Sequence, residues 1–478
     1  MPIEHESVPE YPEVERDYHR DQDEKENRET TPPSGEVVGH PAIMMAECYV
    51  GGDLERLTLG LRSLGHSPQD NYDPDDYFAW AEAVRRTSNS GGWTRAGSYV
   101  RRGTERAWMG DEAVEMPEDF DRIDLRAYSP TPAIVVLVGV FQLAGDAANF
   151  LDDELRTNRY LRLDVEGRFT HFVSAAHRKR EAVDQERLRI RESARSWLSE
   201  QLPGTLTRDF RAPALPAIDF ISTRLTRPFE EAEEPGGRRD DYRSILSIGQ
   251  EHQVWESESH KGWRLMMPWR PRDDDWTLVV GAIDDPAFQY TGQARGNDEV
   301  DPHPRATPAF QDYFGELLVR WALVNLTVLY VERLASIRDS IATTPDRRWF
   351  SRQGRPTRGS LRLASSVIAT TSFDAAVVAS ETAEMVDSEW RWIREVGLWV
   401  PVEEWAKERA EGSLFEDLGE GLKRRCEWIA DLEARLRDQL LATTNLEVAA
   451  LNISLQRQVF WITLIAVAIA VATLVVSS

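Results

Sequence analysis

Residues 133–141, with the sequence AIVVLVGVF, form an apolar run that predicts a buried strand. Residues 123–128 predict a partner strand, and the intervening Ser129-Pro130-Thr131-Pro132 predicts the turn between the two. A helix is expected to follow at residues 146–156. This order of elements indicates a sheet with helices packed against it.

An earlier apolar run, AIMMAECYV at residues 42–50, predicts a second buried strand. Gly51, Gly52 and Asp53 are expected to turn the chain and to cap a helix that continues through Leu64. A charged helix is predicted at residues 170–202, and further strands at residues 217–225, 242–248, 263–267 and 276–283. The alternation of strands and helices predicts a body of the α/β or α+β class.

The C-terminal third is predicted to be helical. Apolar residues recur at helical intervals over residues 361–396 and again over residues 413–457. A short connection between two helices favours a hairpin, so we expect a long antiparallel helical stalk after the body. The residues after Pro308 predict another apolar helix. Only eleven uncharged residues lie between Arg320 and Glu332, which favours a core helix over a membrane span.

Residues 459–476 (VFWITLIAVAIAVATLVV) carry no charge, and as a helix they would extend over about 27 Å, close to the thickness of a bilayer core. They predict one C-terminal transmembrane helix, and a buried core helix is the alternative. The threonines in the run are expected to return their hydroxyls to the backbone. Arg457, Phe460 and Trp461 are predicted to lie at the membrane interface, because aromatic rings suit the headgroup layer.

The placement of basic residues predicts the orientation of this helix. Arg435, Arg437 and Arg457 precede the apolar run and no basic residue follows it, so the N-terminal body is expected in the cytosol. The chain is thus predicted to be a tail-anchored, single-pass protein of the cell membrane. Small residues four positions apart permit close contact between helices. Two such pairs in the anchor are alternatives for self-association, Ala466 with Ala470 or Ala468 with Ala472.

The most basic segment of the chain, residues 347–362 (RRWFSRQGRPTRGSLR), contains no acid and precedes the first stalk helix. In an antiparallel stalk this segment lies near the membrane, so we predict that it contacts lipid headgroups. The predicted contact residues are Arg347, Arg348, Trp349, Phe350, Arg352, Arg355, Arg358 and Arg362. A solvated loop paired with the acidic body, and a site for an anionic ligand, are the alternatives.

The composition limits the classes of partner and of site. A net charge of -24 repels the phosphate backbone and argues against a nucleic-acid binder. Cys48 and Cys426 have no metal-type spacing. Residues 1–40 hold twelve acidic residues against four basic ones and show no apolar period, so disorder is predicted there. The predicted domains are a disordered acidic leader at 1–40, a mixed α/β cytosolic part at 41–305, a helical stalk at 306–457 and the anchor at 458–478.

The search for chemical motifs finds no recognisable catalytic site. Residues 88–98 are rich in glycine but lack the Gly-Lys-Ser/Thr ending of a phosphate-binding loop. No Gly-x-Ser-x-Gly elbow is present. We therefore predict no catalytic, cofactor-binding or metal-binding residues. A non-catalytic protein is favoured over an enzyme with an unrecognised site.

The layout of an acidic body, long helices and a final helix that enters a bilayer resembles that of CorA-type magnesium channels. This resemblance implies an oligomeric membrane effector or channel subunit. Channels of that type carry two membrane helices and a Gly-Met-Asn motif after the first, whereas this sequence has one predicted membrane helix and no such motif. The sequence accordingly favours a membrane-anchored scaffold. Its predicted partners are the lipid bilayer, a cytosolic protein and further copies of the chain.

Overall fold

The structure is a computed structural model, and it divides the chain into two compact units. The first comprises Met1–Leu329 and Glu381–Arg424, and the second comprises Tyr330–Ser380 and Arg425–Ser478. The residues that the structure describes are 16–65, 92–103, 111–166, 169–209, 215–225, 242–246, 252–257, 263–268, 277–283, 303–343, 358–387, 399–401 and 414–477.

The described helices and strands are numbered in chain order. The helices are α1 (Arg16–Glu29), α2 (Asp53–Ser63), α3 (Gly145–Arg156), α4 (Ala175–Gln201), α5 (Thr205–Asp209), α6 (Arg243–Leu246), α7 (His303–Thr343), α8 (Arg358–Asp387) and α9 (Leu414–Ser477). The strands are β1 (Val38–Val50), β2 (Trp93–Arg101), β3 (Glu112–Val114), β4 (Phe120–Thr131), β5 (Ile134–Leu143), β6 (Arg162–Glu166), β7 (Phe169–Val173), β8 (Ala217–Thr223), β9 (His252–Ser257), β10 (Trp263–Pro268), β11 (Thr277–Ile283) and β12 (Trp399–Pro401).

The first unit is built on a ten-stranded mixed sheet in the order β12-β9-β10-β11-β8-β1-β5-β4-β2-β3. Neighbouring strands are antiparallel except for the β11–β8 and β2–β3 pairs, which are parallel. Strands β6 and β7 form a separate antiparallel pair. The prediction of a mixed α/β body is confirmed. The run at 133–141 becomes β5, which pairs with β1 and β4, whereas Pro130 lies inside β4 and the turn falls at residues 132–133.

Helices cover both faces of this sheet, which explains why its central strands are continuous apolar runs. On one face, Trp197 of α4 meets Phe141 of β5 at 5.8 Å between ring centroids. On the other face, Phe310 of α7 stacks on Phe220 of β8 at 4.8 Å. Every residue of β1 is buried between these layers. The body is therefore a three-layer α/β/α unit, and the N-terminal half of α7 is one of its core helices.

Residues 16–40, which we predicted to be disordered, are instead ordered as α1 and the start of β1. Side-chain hydrogen bonds fix α1 to the body. The Asn27 side chain donates to the Arg159 carbonyl at 2.6 Å and accepts from the Arg159 amide at 2.9 Å. Asp23 accepts from the Leu161 amide at 2.8 Å. The prediction failed because such long-range contacts leave no apolar period in the sequence. Residues 1–15 lie outside the described residues.

Three further local predictions are corrected. Within the strand predicted at 242–248, Arg243–Leu246 form the short helix α6, from which Ile245 and Leu246 pack into a core cluster, and residues 247 and 248 lie outside the described residues. The charged helix begins at Ala175 rather than near residue 170, since Ser174 caps α4 and β7 precedes it. Asp53 does not cap α2, whose first turn follows Gly52. Its carboxylate instead accepts a 2.9 Å hydrogen bond from the Thr205 hydroxyl.

The structure divides the chain differently from the predicted border near residue 305. The segment of α7 up to Leu329 belongs to the sheet unit, as do Glu381–Arg424. Strand β12 adds to the edge of the sheet by pairing with β9. Residues predicted to lie only in a stalk therefore complete the body.

The second unit contains segments of α7, α8 and α9. Its described core is built from apolar side chains that the three helices contribute. They are Tyr330, Leu334, Ala375, Val378, Ala379, Cys426, Ile429, Leu432 and Leu436. Long helices are thus present as expected, and the last residues of the helix predicted at 361–396, from 388 onward, lie outside the described residues. The antiparallel direction of a stalk stays a prediction.

Candidate functional site

Helix α9 changes character along its length. From Leu414 to Leu436 a single stripe of side chains is buried, and the residues between its members are mostly polar or charged. The buried members are Leu414, Leu418, Leu422, Cys426, Ile429, Leu432 and Leu436. This spacing of three and four residues is that of a helix with one face against a core. The helical spacing of apolar residues predicted over 413–457 is thus confirmed up to Leu436, whereas Leu455, within the same predicted range, is 56 % exposed.

Toward its C-terminal end, the described side chains of α9 between residues 459 and 469 are exposed and mostly apolar on all sides. Successive residues lie about 100° apart around a helix. The exposed fractions are Val459 60 %, Phe460 61 %, Trp461 60 %, Ile462 67 %, Leu464 47 %, Ile465 55 %, Val467 56 % and Ile469 61 %. The run at 459–476 lies wholly within α9, which continues without a break from Leu414 to Ser477. The Thr463 hydroxyl donates to the Val459 carbonyl at 2.8 Å, as expected for a threonine in apolar surroundings.

Helix α7 provides the contrast. Its segment Phe314–Asp339, 26 residues long, is apolar and long enough to cross a membrane, and it is the one such helix that meets this test among the described residues. Its most apolar stretch is, however, 78 % buried within the structure. Phe314 also meets Trp263 of β10 at 5.2 Å between ring centroids. We therefore interpret α7 as a core helix, as the sequence predicted.

The residues predicted to meet the membrane fall into two groups. Arg457, Phe460 and Trp461 are exposed and lie next to each other on α9, with the two aromatic rings 6.2 Å apart. Of the basic segment, Arg358 and Arg362 belong to α8 rather than to a loop. Outside the described residues lie Arg347, Arg348, Trp349, Phe350, Arg352 and Arg355. Of the four predicted contact alanines, Ala466 is exposed, and the side chains of Ala468, Ala470 and Ala472 are outside the described set.

A buried ion pair lies between the sheet and α4. Asp219 of β8 is fully buried and accepts hydrogen bonds from Arg187 at 2.9 Å (Nε) and 2.7 Å (Nη2). Burial opposes ionisation of Asp219, but the charges of Arg187 and Arg191 hold its pKa below the ordinary value. We did not predict this pair from the sequence. The signal was present, because a carboxylate inside the apolar strand AIDFIST needs a partner.

Glu47 of β1 holds the start of α5. Its carboxylate is fully buried and accepts hydrogen bonds from the amides of Cys48 and Leu206 at 2.8 Å and of Thr207 at 3.0 Å, and from the Thr207 hydroxyl. A Cβ at Gly204 would stand 2.4 Å from Cγ of Glu47, so only glycine fits there. Glu47 therefore has a structural role. It too was missed, although it is the one charged residue in AIMMAECYV.

Two buried groups titrate in opposite senses. Burial lowers the pKa of His40 from 6.5 to about 4, and Arg187 and Arg191 act in the same direction, while Asp219 and Glu186 oppose them. Burial raises the pKa of Glu47 from 4.5 to about 7, although its hydrogen bonds oppose this. As pH falls, the unfolded chain protonates His40 first, so stability is lost between pH 6.5 and 4. The native chain protonates Glu47 first, so stability is gained between pH 7 and 4.5.

We expect these two contributions to offset each other in the wild type and to separate in variants. When the pH is lowered from 7 to 5, the unfolding free energy of His40→Gln should rise by about 2 kcal/mol relative to that of the wild type. Over the same range, the unfolding free energy of Glu47→Gln should fall by about 2 kcal/mol relative to that of the wild type. The measurement is denaturant unfolding of the three proteins at both pH values. Parallel pH profiles for all three would contradict the assignment.

The described residues contain no group of three or more His, Cys, Asp or Glu side chains that could hold a metal ion. Residues 88–91 of the glycine-rich segment lie outside those residues. Among the described residues, the feature that points to a function is the exposed apolar segment of α9. No family model, no curated protein and no solved structure matches the chain.

Proposed function

We propose that this chain is a single-pass membrane protein, in which residues 459–476 of α9 span a bilayer and hold the α/β body at its surface. The body binds or scaffolds a cytosolic protein and catalyses no reaction. The observation that carries the proposal is the exposure of apolar side chains on every side of one continuous helix. A helix that packs on a protein surface would be apolar on one face only.

The energetics favour a lipid environment for this segment. Eight apolar side chains between residues 459 and 469 are 47 to 67 % exposed. Full burial of such a side chain contributes on the order of 1.5 to 3 kcal/mol, so leaving all of them in water is costly. In a bilayer the backbone is satisfied by the helix itself. Arg457 then stands at the cytosolic edge, where a basic residue is favoured.

The surface of the body supports its proposed binding of a partner. Leu163 and Phe172 are opposite each other on β6 and β7 and are 51 % and 49 % exposed. Tyr18 of α1 is 66 % exposed, and the neighbouring His19 ring lies 4.9 Å from that of Phe172. Apolar side chains grouped in this way on a body of high net charge are typical of a protein interaction site.

The proposed membrane span can be tested on the intact chain. After reconstitution with liposomes, the protein should float with the lipid in a density gradient and should resist extraction with alkaline carbonate. Protease added outside should remove the body and leave a protected fragment of about 20 residues, the length of one span. Recovery of the protein in the carbonate supernatant would overturn the proposal.

A further inference from the structure

We infer that α9 carries a second apolar face, through which two or more copies of this chain associate in parallel. We call this face the outer seam. Its members are Leu441, Thr444, Val448, Leu451, Leu455, Gln458, Ile462 and Ile465. The inference rests on the proposed function, because insertion into one bilayer places all copies in the same direction.

The spacing of the outer seam is that of a coiled coil. Four of its members follow one another at intervals of seven residues: Leu441, Val448, Leu455 and Ile462. Each of the other four lies three residues after one of these. Alternating steps of three and four residues keep one face turned toward a neighbouring helix that winds around it. Six of the eight positions are apolar. The pattern therefore matches an identical helix in the same register.

The outer seam lies on a different face from the stripe that α9 buries within its own chain. Leu436, the last buried member of that stripe among the side chains that the structure describes, is 2 % exposed, whereas Leu441 is 55 % exposed. Five residues correspond to about 140° around a helix. Leu455, two heptads further, is 56 % exposed. The second unit thus covers one side of α9, and the seam members whose side chains the structure describes, Leu441, Leu455, Gln458, Ile462 and Ile465, are exposed.

The distribution of charge favours a second copy as the occupant. The chain carries a net charge of -24, so two copies repel each other over most of their surface. Between Asp438 and Arg457, by contrast, Glu447 is the sole charged residue, and the heptad places it beside the seam rather than on it. Copies that stand in the same bilayer hold these neutral segments at the same height. Contact is therefore favoured here.

The outer seam also distinguishes between the two alanine pairs that the sequence offers for self-association. Continued along α9 with the same spacing, it passes through Ile469 and Ala472. Ala468 falls beside it, whereas Ala470 falls toward the opposite side of the helix. The pair Ala468 and Ala472 is therefore the one that lies along the association face.

Cysteine cross-linking of the full-length protein in liposomes tests this inference with a matched control. Leu455→Cys lies on the seam, and Ile453→Cys lies on the other side of α9, while the parent side chains are equally exposed at 56 % and 55 %. Under mild oxidation at a low protein-to-lipid ratio, Leu455→Cys should give a disulfide dimer at roughly five-fold or more the yield of Ile453→Cys, since facing seam positions reach disulfide distance. The parent chain, whose Cys48 and Cys426 are buried, is the blank.

Equal yields from the two variants would overturn the proposal that copies associate through the outer seam. A higher yield from Ile453→Cys would assign the association to another face of α9. Leu441→Cys repeats the comparison if Leu455→Cys does not fold. The yields are also measured in detergent, so that association through the outer seam is tested independently of insertion into a bilayer. A chain that resists carbonate extraction but shows no preference for the seam refutes this inference alone, whereas one that carbonate extracts refutes the proposed function.

Discussion

Replacement of Ile465 and Ile469 by arginine is expected to release the chain from the membrane. Both residues lie near the middle of the run at 459–476 and are 55 % and 61 % exposed. At the centre of a membrane helix, exchanging isoleucine for arginine changes the insertion free energy by about 3 to 4 kcal/mol, so the pair should cost roughly 6 to 8 kcal/mol. The measurement is the fraction of protein that stays with the membrane pellet after carbonate extraction.

Ile453→Arg is the control for this prediction. Ile453 has the same exposed fraction as Ile465, 55 %, but lies before Arg457 and outside the apolar run. An arginine there meets water or headgroups, so membrane retention should match the wild type. Wild-type retention of the double variant would contradict a membrane span at 459–476. Loss of retention in both variants would indicate that the segment around residue 453 also enters lipid.

Asp219→Ala is expected to destabilise the body by about 3 to 5 kcal/mol, the largest effect we predict for a single substitution on stability. The change removes the carboxylate from a pair in which both side chains are almost fully buried, at 0 % and 3 % exposure. Arg187 then stays in the core without its closest counter-charge, and an uncompensated buried charge is costly. Chemical unfolding of the full-length protein in detergent, followed by tryptophan fluorescence, gives the free energy.

Two further variants separate this cost from the value of the pair itself. The double variant Arg187→Met and Asp219→Leu removes both charges, so it should recover most of the stability lost in Asp219→Ala. Asp431→Ala breaks the exposed pair of Asp431 and Arg435, whose side chains are 54 % and 71 % exposed, and should cost less than about 1 kcal/mol. A double variant as unstable as Asp219→Ala would show that packing, rather than the unpaired arginine, causes the loss.

Much of the fold was predictable from local patterns. The runs at 42–50 and 133–141 became the neighbouring strands β1 and β5, because short apolar runs are buried on both faces of a sheet covered by helices. The apolar stripe of α9 up to Leu436 was likewise predicted, since a period near 3.6 residues requires no long-range information. The candidate site was predicted as a helix. Its exposure on all sides was measurable only in the structure.

The features that we did not predict from the sequence share one cause, because each depends on contacts between residues far apart in the chain. Asn27 holds α1 in place through Arg159, which lies 132 residues further along the chain. Asp219 is tolerated in β8 because Arg187 of α4 reaches it. Neither contact leaves a period in the sequence, so α1 was mistaken for a disordered leader and the buried ion pair was overlooked.

The sequence by itself determined that the chain has an apolar sheet core and a long C-terminal helix with an uncharged end, because each depends on residues close together in the chain. Only the tertiary structure decided the order of the ten strands, the place of α7 against the sheet and the face of α9 that is left open. The physical reason is that packing selects among many arrangements of the same elements, and the selection rests on which distant side chains fit together.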